Sequence, residues 1–86
     1  MTTSQTTAYN ALMASASVLT AFELRSSDTS AEFEFAGNKD GWIQAHIASL
    51  DPEKDNSPQE ILNTVADNMS AEVGGSLNTI VKTLAI

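Results

Sequence analysis

The stretch that decides the fold is VLTAFELRSSDTSAEFEFAGNKDGWIQAHI, residues 18–47. Strand side chains alternate faces, so the stretch is read in steps of two. In the first run Val18, Thr20, Phe22 and Leu24 share one face, and Leu19, Ala21, Glu23 and Arg25 the other. In the second run Phe33 and Phe35 oppose Glu32 and Glu34. In the third, Ile43, Ala45 and Ile47 alternate with Trp42, Gln44 and His46. Short polar residues at 27–30 and the Gly37-Asn38-Lys39-Asp40-Gly41 segment separate the runs with turn chemistry. Connections this short join antiparallel neighbours.

Energy sets the register. Burying a Phe or Ile side chain is worth roughly 1.5–3 kcal/mol. A one-residue slip of the middle run exposes both phenylalanines and buries two unpaired carboxylates. The expected ribbon puts Phe35 across from Phe22 and Ile43. Its open face carries Glu32 between Arg25 and His46, and Glu34 beside Glu23, where like charges repel. Trp42, the only tryptophan, falls on that open face. There it is either a binding anchor or the cover of a sheet edge.

Working outward, residues 4–17 read as an uncharged helix, with Ser4 as cap and Tyr9, Leu12, Met13 and Ala16 at helical spacing. Ser57-Pro58-Gln59-Glu60 carries the clearest helix start, a capping box with proline at the first helical position. Ile61, Leu62, Val65, Met69 and Val73 form the stripe that follows, and Gly74-Gly75 ends it. At residues 76–86 the spacing of Leu77, Ile80, Val81 and Leu84 favours a helix, with a period-two strand as the alternative. The expected fold class is therefore α+β, in the order αβββαα. It comprises an N-terminal helix, a three-stranded antiparallel β-meander, and two C-terminal helices packed on one sheet face. Residues 1–86 form a single small domain.

Eleven acids against four Lys and Arg residues leave a net charge of −7. Nucleic-acid backbones and anionic membranes repel such a chain, so neither is expected as a direct partner. No apolar run approaches the roughly 20 residues of a membrane span, and residues 1–22 lack the charge pattern of a leader. The absence of cysteine suits a reducing, cytoplasmic setting.

Site chemistry is sparse. His46 is the only histidine, and no serine sits in a strand–elbow–helix context. The pair Glu32 and Glu34 lacks a water-poor pocket. Asp51, Asp55 and Glu60 lack the spacing and central glycine of a calcium loop. The sequence therefore assigns no catalytic residue, no metal ligand and no cofactor, and the chain is expected not to be an enzyme.

The order helix–strand–strand–strand–helix resembles the double-stranded-RNA-binding domain. The helix start that grips phosphate in that family corresponds here to Ser57-Pro58-Gln59-Glu60, which holds no base, so the RNA role does not carry over. The same order in a small acidic chain also looks like some phage-encoded anti-CRISPR proteins, which occupy nucleic-acid sites on their targets. The expected function is thus an acidic protein-binding module or inhibitor, a nucleic-acid mimic. Glu23, Glu32, Glu34, Asp51, Glu53 and Asp55 would stand in for phosphates on a basic protein surface, and Trp42 would anchor. The alternative is a structural, self-associating subunit: a homodimer through the uncharged first helix and the apolar C-terminus.

Overall fold

A computed structural model describes residues 1–28, 32–51 and 53–74. It contains four helices: α1 (Thr3–Ala14), α2 (Ala16–Ser27), α3 (Lys39–Ala48) and α4 (Pro58–Glu72). The described residues hold no strand, so the α+β class, the meander and the αβββαα order are all overturned. The likeness to double-stranded-RNA-binding domains and to anti-CRISPR proteins rested on that order and goes with it. The helix or strand expected at residues 76–86 lies outside the described residues.

The caps explain the correction. Ser15 closes α1 and opens α2, its hydroxyl accepting from the Val18 amide at 3.2 Å. Helix formers then dominate, with Ala16, Leu19, Ala21, Glu23, Leu24 and Arg25 outweighing Val18 and Thr20. A period of 3.6 selects a different inner set from a period of two. Val18 and Ala21 are fully buried, whereas Leu24 is 44% exposed.

The second helical start within that stretch is Asn38, whose side chain accepts from the Gly41 amide at 3.0 Å. Gly41 belongs there because a Cβ would lie 2.5 Å from Asn38 Nδ2. What reads as a hairpin loop is therefore an N-cap folded over a glycine. From it α3 turns Trp42, Ile43 and Ile47 into the core. Asp40 lies in its first turn, where a negative charge is favourable to the helix dipole, and His46 lies in its last.

Between α2 and α3, residues 34–37 form a turn rather than a strand. The Asn38 amide donates to the Phe35 carbonyl at 2.8 Å, and Gly37 takes φ 76°. Phe33 and Phe35 still pack half-buried on the core while Glu32 and Glu34 face water. The cross-strand trio of Arg25, Glu32 and His46 and the Glu23–Glu34 repulsion do not arise without a sheet.

The N-terminal helix starts two residues earlier than the Ser4 cap implies. Thr2 and Gln5 make a reciprocal capping box, with bonds of 3.1 and 2.9 Å. At α4 the Ser57 hydroxyl accepts from the Glu60 amide and donates to Glu60 Oε1. The glutamate thus bonds the serine side chain, not its backbone amide. Ile61, Leu62, Val65, Ala66 and Met69 of α4 are all buried. This helix packs against each of the other three and forms the spine of the bundle.

Candidate functional site

Two features of the surface bear on function: where the charges sit, and a cavity between α3 and α4.

No carboxylate is buried. Nine of the eleven acids are exposed, and Asp40 and Asp55 are half-buried. The cations behave differently. Lys39 Nζ donates to the Met13 carbonyl at 3.1 Å, tying α3 to α1. Arg25 stacks its guanidinium 4.5 Å from the Phe33 ring centre, and its Nη2 donates to the Glu32 carbonyl. Its side chain is only 14% exposed. Lys39 Nζ and Arg25 Nη2 thus find acceptors within the fold, while nine of the eleven acids are exposed.

The expected contact residues divide into two groups. Glu23 stands exposed on α2, and Glu32 and Glu34 flank Phe33 in the connection to α3. Asp51, Glu53 and Asp55 share the loop before α4. In that loop Asp51 Oδ1 accepts from the Glu53 amide, and Asp55 Oδ1 accepts from the Thr64 hydroxyl at 2.8 Å. The single flat acidic panel on a sheet is not formed: Glu23 lies on α2, Glu32 and Glu34 on the connection to α3, and Asp51, Glu53 and Asp55 on the loop before α4. Trp42 must be corrected outright: it is 1% exposed and cannot be a surface anchor. Its indole packs against Phe22, Phe33 and His46, with ring centres 5.6, 5.8 and 5.4 Å away.

The indole also locates a residue that sequence reasoning missed. Trp42 Nε1 donates to Glu72 Oε2 at 3.0 Å, and His46 Nε2 lies 2.6 Å from the same oxygen. Arg25 Nε approaches the other oxygen, Oε1, at 3.9 Å. One carboxylate therefore gathers three side chains from α2 and α3 onto the last turn of α4. Nothing local to Glu72 announces this. The available signal is the i, i+4 spacing of Trp42 and His46, which puts them on one face once residues 39–48 are helical.

A cavity of about 220 Å³ opens beside this hub, lined by Phe35, Trp42, Ala45, His46, Ser49 and Glu72. The described residues hold no group of three His, Cys, Asp or Glu side chains able to bind a metal. Elsewhere the Tyr9 hydroxyl donates to Asp40, which also accepts from Gln44 Nε2 at 2.9 Å. That hydrogen bond, then burial, then the Asp40 charge push the Tyr9 hydroxyl above its usual range. The bonds from Tyr9 and Gln44 hold Asp40 below the usual carboxylate range, with burial opposing them.

Among the described residues no helix is long and apolar enough to cross a membrane. Comparison with family models, with curated proteins and with solved structures finds no match to this chain.

Proposed function

We propose that this chain is a small acidic binding protein that docks on, and thereby blocks, a basic surface of another protein. The observation that supports this reading is the asymmetry of the charges. The bundle turns Arg25 and Lys39 inward and leaves nine of the eleven acids exposed. A surface so depleted of cations attracts basic partners over about 8–10 Å at physiological salt, and it speeds their encounter. Glu23, Glu32 and Glu34, on α2 and the connection after it, offer one set of carboxylates, and Asp51, Glu53 and Asp55, in the loop before α4, the other. A surface that normally holds nucleic acid is the kind of target such sets fit, with carboxylates in the place of phosphates.

The test begins with capture from the source cell and identification of the partner by mass spectrometry. Calorimetry across ionic strength follows, with the wild-type chain and two triply neutralised variants. One carries Glu23→Gln, Glu32→Gln and Glu34→Gln; the other carries Asp51→Asn, Glu53→Gln and Asp55→Asn. Affinity should fall steeply as salt rises, and one variant should bind at least tenfold more weakly. An affinity flat in salt and unchanged in both variants overturns the reading.

A further inference from the structure

We infer that the cavity between α3 and α4 receives one arginine or lysine head group of the basic partner. This rests on the acidic-binder reading and names the chemical group it takes. Hydrogen-bond capacity around the cavity lined by Phe35, Trp42, Ala45, His46, Ser49 and Glu72 selects the ligand.

Each donor among these polar side chains is already used. Trp42 Nε1–H, which is donor only, goes to Glu72 Oε2. The same oxygen lies 2.6 Å from His46 Nε2, so a carboxylate acceptor there requires the proton on that nitrogen. The Ser49 hydroxyl donates to the His46 carbonyl at 2.8 Å, leaving its oxygen able to accept. Glu72 Oε1 takes no hydrogen bond from any described residue. Its approach to Arg25 Nε, at 3.9 Å, is an ion pair beyond hydrogen-bond length.

What remains is a pair of acceptors: Glu72 Oε1 and Ser49 Oγ. A ligand that satisfies them brings donors. The half-buried Phe35 ring in the lining favours a cationic donor over a neutral one. The cavity, about 220 Å³, is smaller than the roughly 300–1,000 Å³ of pockets that hold whole small molecules. It suits the end of one side chain. Arg25 does not fill this role itself: its Nη2 is bonded to the Glu32 carbonyl, its face lies over Phe33, its Nε stays 3.9 Å from Glu72 Oε1, and its Nη1 reaches no acceptor among the described residues. The Glu72 side chain is 35% exposed, so an incoming group can reach the carboxylate from solvent.

The experiment uses Trp42 fluorescence, since the only tryptophan lines the cavity. The intact chain is titrated with N-acetyl-arginine methylamide, its lysine counterpart, and the uncharged citrulline isostere. The arginine or lysine derivative should give a saturable change, and citrulline should bind about tenfold or more weakly. Glu72→Gln should weaken the cationic probe by a similar factor. Comparison of the probes on the wild-type chain needs no variant, so a poorly folded substitution leaves the test intact. Equal binding of citrulline, or no saturable change with either cation, overturns the inference. If the cations fail while the neutralised surface variants still lose the partner, the cavity assignment falls and the acidic-binder reading stands. If the cations bind while partner affinity is flat in salt, the failure lies with the surface reading.

Discussion

His46 Nε2 stands 2.6 Å from Glu72 Oε2, and this contact joins the last turn of α3 to the last turn of α4. Glu72→Ala removes the acceptor for two donors at once and strands the Trp42 N–H in a residue 1% exposed. An unsatisfied buried donor costs about 1–3 kcal/mol. Urea unfolding followed by Trp42 emission should show a loss in that range, with Glu72→Gln, which keeps an acceptor, losing less.

Ser70 presents the opposite case. It is 3% exposed on α4, and its hydroxyl finds no partner among the described residues. Ser70→Ala removes a buried polar group without leaving a larger void. It also adds helix propensity. The expected gain is about 1 kcal/mol in the same unfolding assay.

The Tyr9–Asp40 bond sets a pH window. The tyrosine hydroxyl is raised from its usual 10.0, so its stabilisation is complete below pH 10 and lost as pH climbs through the raised folded value. Asp40 is lowered from its usual 3.8, so its stabilisation holds above that pH and is lost as pH falls through the lowered folded value. Thermal melts of wild type and Tyr9→Phe should therefore differ most between about pH 4 and 10, and converge outside that interval.

Asn38→Ala tests whether residues 39–48 begin as a capped helix. Loss of an N-cap costs about 0.5–2 kcal/mol. The expected result is a drop in that range, measured by denaturation, with helical circular dichroism retained at native conditions. A loop between strands would register no such penalty.

Parts of this architecture were legible in the sequence. The α4 start and stripe were, because Ser57, Pro58 and a long 3.6-period pattern agree with one another. The inward Phe33 and Phe35 and outward Glu32 and Glu34 were also readable, since the connection preserves that alternation over the four residues 32–35. Residues 18–25 and 42–47 were not. Apolar runs of six to eight residues fit a strand and a buried helical turn equally. The deciding residues were Ser15 and Asn38, whose capping side chains read as ordinary polar punctuation. The site was hidden by the same ambiguity. With residues 42–47 extended, Trp42 goes to the surface and His46 to Glu32; with them coiled, both turn to Glu72, 30 and 26 residues away.

Trp42 is thus the residue on which the helical reading and the cavity both depend, and its solvent accessibility is the most direct test. Acrylamide quenching of the native chain should be weak, and the emission blue-shifted from that of the urea-unfolded chain, as an indole 1% exposed requires. Native quenching as strong as in the unfolded chain would put Trp42 in water and contradict the account.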